Sequence, residues 1–448
     1  MNNPQIDISK LTPEEKRKLL EEMLKKSSRQ EQSKCTQEQS KINASKGFIY
    51  HNEYKVLQEK FEELEKQGYG NIYFTASDGV NNNFTGIDGK QLINYTSYNY
   101  LGMSGDPLVS QAAKDAIDKY GTSVSASRLA SGERMLHREL EEAVSELLGT
   151  DDCVVLVSGY GTNETIIGHL MRPGDLIMYD SLIHSSIQSG CRLSGATAKP
   201  FPHNNWESLD RILGEQRDKY RQALIIIEGV YSMDGDIPDL PKFIEVKKMH
   251  NSLLMIDEAH SIGVLGAHGA GIGEYYPIDR NDVEIWMGTL SKSFAGCGGY
   301  IAGSKELIEY LKYTAPGFVY SVGISPPNAA ASLASIRLMQ KEPHRLNLLH
   351  QMAGLFLELC KSYGFNTGDS KGSAVIPIIL GDSLKCIRLY KMLFDAGIYA
   401  LPIMYPVVPE NSSRLRFFVS STHTEEQIRK TAEVLREING DGSRVFQP

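Results

Sequence analysis

The sequence predicts an α/β protein: a doubly wound, mostly parallel sheet of seven strands, followed by a smaller C-terminal α+β domain. Three observations carry this. Between residues 106 and 336, short apolar runs alternate with helical patterns, the mark of successive βαβ units. The run Leu253-Leu254-Met255-Ile256 is unbroken, as in a strand buried on both faces of a parallel sheet. The runs also end abruptly in polar chemistry. Asp257, Glu258 and His260 follow one, and Gly288-Thr289-Leu290-Ser291-Lys292 closes the next. Ligands in open α/β sheets bind just beyond the carboxyl ends of the strands, so these residues stand where a site belongs.

Taken in order, residues 1–46 form a polar N-terminal segment. Thr12-Pro13-Glu14-Glu15 is a capped helix start, and a polar tract without core residues follows. The segment reads as a docking or connector helix with a flexible linker, or as an ordinary frayed terminus. Residues 47–105 are an N-terminal arm. Its amphipathic helix ends near Gly68, a hairpin turns at Asp88-Gly89, and the loop Asn94-Tyr95-Thr96-Ser97-Tyr98-Asn99-Tyr100-Leu101-Gly102 follows. Residues 106–336 are the large domain, with strands expected at 153–157, 176–180, 196–200, 224–228, 253–257, 285–288 and 300–303. Residues 337–448 are the small domain. A helix leads to strands at 374–380 and 415–419, and a last helix starts near Thr424.

Composition narrows the function. A net charge of −8 argues against nucleic acid as the main partner, because phosphate binding needs a concentrated basic face. No apolar run approaches membrane-spanning length and the first residues are charged, so the expectation is a cytoplasmic protein that does not enter a membrane. The six cysteines are scattered with no C-x-x-C pair, which points to reduced thiols in the core or at the surface and to no metal site.

An acid after one strand and a lysine after the next suggest pyridoxal phosphate (PLP). That cofactor needs an amine for its Schiff base and a carboxylate to keep its ring nitrogen protonated. Here Asp257-Glu258-Ala259-His260 and Thr289-x-x-Lys292 resemble the α-oxoamine synthases, PLP enzymes of fold type I. Three more stretches strengthen the resemblance: Ser158-Gly159-Tyr160-Gly161-Thr162-Asn163, Asp180-x-x-x-His184-x-Ser186, and Glu228-Gly229-Val230-Tyr231-Ser232-Met233-Asp234-Gly235-Asp236. It spans residues 47–440.

The resemblance implies a role for each residue. Ser158, Gly159 and Tyr160 open a helix that holds the cofactor phosphate, with Thr289 adding a hydroxyl. His184 stacks on the ring, Glu228 and Ser232 come from the longest string, and Ser232 lies by the ring's phenolic side. Asp257 pairs with the ring nitrogen, while His260 bonds the phenolic oxygen and later the substrate carbonyl. Lys292 anchors the cofactor and then takes the substrate's Cα proton. Lys292, His184, His260 and Asp257 are thus the expected catalytic set. Arg416 grips the amino acid carboxylate with help from Asn99, and Arg128 lies near the thioester entrance. Gly323 departs from the family, which has serine or threonine there to reach the neighbouring subunit's phosphate; Ser321 or backbone N–H groups are the expected substitutes.

The implied reaction is a decarboxylative condensation of alanine, glycine or serine with an acyl thioester. It is carried out by a homodimer whose arm covers the partner subunit. The string Ser321-Val322-Gly323-Ile324-Ser325-Pro326-Pro327, together with the polar N-terminal segment, resembles family members embedded in modular synthases and hints at an acyl carrier protein as donor rather than free acyl-CoA. A helicase would need a phosphate loop and a nicotinamide enzyme a third glycine, and both are missing. A fold type I aminotransferase or lyase is the nearest alternative.

Overall fold

The computed structural model describes residues 47–66, 68–405 and 407–440. The capped helix and linker expected over residues 1–46 lie outside them. The chain divides into two compact units at Thr75. In the first, helix Asn52–Lys66 forms as expected. Gly68 ends it in the left-handed region (φ +77°), returning its N–H to the Glu65 carbonyl at 2.9 Å.

The second unit opens with the hairpin β1 (Phe84–Ile87) and β2 (Lys90–Asn94). Asp88 (φ +50°) and Gly89 (φ +74°) form the two-residue turn that matches the twist of paired strands. The large sheet then forms from β3 (Asp152–Leu156), β4 (Leu176–Asp180), β5 (Thr197–Phe201), β6 (Ala223–Glu228), β7 (Leu253–Asp257), β8 (Ile285–Thr289) and β9 (Gly299–Gly303). Their order is β3-β9-β8-β7-β6-β4-β5. The core beneath it is apolar throughout, with Ile177, Leu224, Ile226, Met255, Met287 and Ile301 all at most 2% exposed.

The seven strands lie close to their expected positions, but β9 runs antiparallel to both β8 and β3. Only residues 290–298 separate it from β8, and a parallel crossover needs about a dozen residues or more. β9 is therefore reached by a hairpin rather than a helical crossover.

Beyond helices Pro326–Lys341 and His344–Ser362 come β10 (Val375–Ile379), β11 (Ile398–Tyr399), β12 (Pro402–Ile403) and β13 (Arg414–Phe418). β10, β13 and β12 make a small antiparallel sheet. β11 instead pairs with β2, which ties the hairpin to this lobe. The two-residue strands β11 and β12 carry too little periodicity to be read from sequence. Among the described residues, no helix is long and apolar enough to cross a membrane.

Candidate active site

The carboxyl ends of β3, β4, β6, β7 and β8 meet around a cavity of about 340 Å³. At one end Ser158 caps helix Gly159–Leu170, its Oγ accepting from Gly161 N at 3.2 Å. A helix N-terminus presents free N–H groups to an anion. Gly159 must lack a side chain, because a Cβ there would lie 2.7 Å from Thr289 Oγ1. Thr289 donates that hydroxyl to the Gly298 carbonyl at 3.0 Å. Tyr160 lines the same end, its hydroxyl 2.9 Å from Ser189 Oγ.

Asp257 closes β7 in the cavity wall, 4% exposed. Asn163 Nδ2 donates to its Oδ2 at 2.8 Å and Ala259 N to its Oδ1 at 2.9 Å. No cation pairs with it among the described residues. His184 caps the next helix, its Nδ1 2.7 Å from Ser186 Oγ and its backbone N–H donated to Glu228 Oε1 at 2.6 Å. Burial, and then the Asp257 charge, push the Glu228 carboxyl well above the usual range.

Lys292 faces these groups from the β8–β9 loop. Burial lowers its pKa to about 8, against the raising effect of Asp257 and Glu228; Arg416 adds to the lowering. His260 is held well below its usual pKa by burial and by the Lys292 and Arg416 charges. Arg416, on β13, stands outside the cavity lining, close enough for its charge to lower the Lys292 and His260 pKa values. Its Nη1 donates to the Ser232 carbonyl at 3.0 Å, and its guanidinium lies 4.3 Å from the Phe418 ring centre. It has no carboxylate partner among the described residues, whereas Arg414 is held by Asp234.

Several expected residues stand elsewhere. Asn99 is occupied with its own loop, exchanging amide bonds with Ser104 at 3.1 and 3.0 Å, and it does not line the cavity. Arg128 is buried and bound to Glu133 and Glu141 at 2.6 and 2.5 Å, so its fork is already filled. It lines a separate cavity with Lys312 and Tyr313. Ser232 contributes its carbonyl to Arg416 rather than a hydroxyl to the cavity. Ser321 also lies outside the lining. Gly323 has a packing reason: a Cβ there would lie 2.9 Å from Arg128 Cγ and 3.0 Å from Val124.

Sequence reasoning missed Asn163, Ser186, Tyr98 and the exposed Cys297 as cavity residues. Asn163 was findable, because it lies one helical turn past Gly159 along the same face. Cys297 carries no comparable signal.

The group that fits must supply an anion for the helix end, a cation for Asp257 and a reactive carbon for an amine whose pKa is lowered to about 8. PLP meets all three demands, and the buried, unpartnered Asn163 Oδ1 and unpaired Asp257 leave the polar capacity for its ring edge. The sheet and this constellation define a PLP enzyme of fold type I.

The sequence profile of the Aminotransferase class I and II family matches residues 90–435. The 8-amino-7-oxononanoate synthase of Thermosipho melanesiensis is 37% identical over 386 residues, covering 86% of this chain and 98% of its own length. That of Fervidobacterium nodosum is 39% identical over 380 residues, covering 84% and 95%. Serine palmitoyltransferase of Sphingomonas wittichii superposes with a TM-score of 0.84 at 30% identity, over 89% of this chain and 99% of that one. A serine palmitoyltransferase from S. paucimobilis, solved with a PLP–myriocin aldimine bound, gives 0.84 at 28% identity over 88% and 99%. The chain belongs to the aminotransferase class I and II family and, within it, to the α-oxoamine synthases, which are PLP-dependent acyltransferases.

Proposed function

We propose that this enzyme condenses a small amino acid (alanine, glycine or serine) with an acyl thioester, giving an α-amino ketone, CO₂ and free thiol. The observation that carries the reading is the state of three charged groups around one cavity. Lys292 and Asp257 in the cavity wall, and Arg416 outside its lining but close enough for its charge to act on Lys292 and His260, are each buried or half-buried without an ion-pair partner among the described residues. Unpaired buried charges are costly, so a site that keeps three of them is built to receive complementary groups.

Ser158, Gly159 and the helix N-terminus would hold the cofactor phosphate, and His184 would pack against the ring. Asp257 would keep the ring nitrogen protonated. When bound, PLP supplies an electron sink for charge developing on the substrate Cα. Arg416 offers a planar fork to the amino acid carboxylate. Lys292 Nζ, with its lowered pKa, can take the Cα proton at ordinary pH. His260 would hydrogen-bond the thioester carbonyl as carbon–carbon bond formation places charge on its oxygen. The thiol then leaves, and the carboxylate held by Arg416 departs as CO₂.

A homodimer belongs to this reading. Leu129, Tyr313, Tyr320 and Val322 leave large side chains 47–86% exposed, surface that a second copy would cover. Either acyl-CoA or an acyl carrier protein is the thioester donor, and the cytoplasm is the compartment. Product mass spectrometry with a panel of amino acids and thioesters tests the proposal. An α-amino ketone is expected; a keto acid formed in its place would mark an aminotransferase.

A further inference from the structure

Tyr100 lies in the loop between the hairpin and the large domain. Its ring is fully buried, edge-on to Phe418 with centroids 5.9 Å apart at 69°. Its hydroxyl is 2.7 Å from His260 Nδ1. Neither oxygen nor nitrogen has another described partner, and His260 Nε2 has none among the described residues. His260 lines the cavity, and its ring stacks on Phe418 at 15°.

Both groups are neutral. Burial disfavours the tyrosinate and raises the Tyr100 pKa, while burial and the nearby cations keep His260 unprotonated. The pair therefore has two arrangements. If His260 carries its proton on Nδ1, that N–H donates to Tyr100, and the tyrosine's own hydrogen has no acceptor among the described residues. If the proton is on Nε2, Tyr100 donates to Nδ1 and the N–H is free to meet a ligand. The first arrangement strands a buried donor and the second strands none. We propose that Tyr100 fixes the tautomer of His260, so that Nε2–H is presented to the cavity as a hydrogen-bond donor.

Tyr100 is then a positioning residue, acting through His260. This deepens the condensation reading and rests on it only for the kinetic consequence. A donor at Nε2 can stabilise an oxygen that gains negative charge, whereas the opposite tautomer would present a lone pair and repel it.

The test labels the PLP-loaded protein with ¹⁵N-histidine and identifies the His260 signals by their loss in His260→Asn. A pyridine-type Nδ1 and a pyrrole-type Nε2 are expected. In Tyr100→Phe, which keeps the ring packing, the pyrrole-type share of Nδ1 should rise. Its kcat should fall about fivefold, the value of one net neutral hydrogen bond, with PLP content unchanged. A pyrrole-type Nδ1 in the parent protein overturns the proposal, as does a Tyr100→Phe spectrum with the parent tautomer. Should Tyr100→Phe fail to fold, the parent spectrum alone decides by the same criterion. A protein with the expected tautomer but no condensation would refute the proposed reaction and leave the Tyr100 assignment standing.

Discussion

Arg416→Ala should weaken amino acid binding while sparing the cofactor. The guanidinium is desolvated, with its pKa lowered by burial, and among the described residues it is held by the Ser232 carbonyl, Met233 Sδ and the Phe418 face. An incoming carboxylate supplies the missing charge partner. Removing one side of a buried, hydrogen-bonded charge pair costs about 2–5 kcal/mol. Part of that is offset, because the variant no longer holds an unpaired cation in the free protein. A net loss of about 2–3 kcal/mol weakens binding roughly 30- to 150-fold. Arg416→Lys keeps the charge and loses the fork, so about tenfold is expected. The assay titrates PLP-loaded protein with alanine in the absence of thioester and follows the visible spectrum. Parent-like alanine affinity in Arg416→Ala would refute the reasoning. So would a greater loss in Arg414→Ala, whose guanidinium is already paired with Asp234.

Lys292→Ala should remove the visible absorbance that PLP gives the parent protein, and unchanged colour would refute its assignment. Burial disfavours the Lys292 ammonium, so the reactive neutral amine is present above about pH 8 and lost below it. The initial rate of PLP loading, followed by absorbance, should therefore fall roughly tenfold for each pH unit below that point and level off above it. Asn163→Leu strips a donor from the buried Asp257 carboxylate and should weaken PLP binding at least about tenfold, read by equilibrium titration. Gly235→Ala forces a side chain into φ +69° with its Cβ in hard overlap with the Val375 carbonyl oxygen. It should lose about 2–4 kcal/mol of stability, seen in the denaturant midpoint.

What could be read from the sequence was what local chemistry dictates. The unbroken apolar runs announced β6 and β7, and the polar residues after them announced the sheet edge. The reversal of β9 follows from the shortness of the connection over residues 290–298, which a strand pattern by itself does not register. Arg128 shows the opposite limit. The resemblance placed it near an entrance, yet Glu133 and, from well beyond that local stretch, Glu141 share its guanidinium. Partners fixed by packing leave no local trace.

The string 228–236 was legible as a family mark; Glu228 lines the cavity, and the rest of the string does structural work. The Gly235 carbonyl accepts from Ser373 Oγ at 3.0 Å, and the Ser232 carbonyl holds Arg416. The turn joins the small lobe to the large one and sets the carboxylate receptor in place.

The condensation itself is tested most directly by following thiol and CO₂ together in one reaction of PLP-loaded protein with alanine and an acyl thioester. The structure predicts that both appear in equal amounts and only when both substrates are present. Transfer of the amino group to a keto acid, with the thioester left intact, would contradict it.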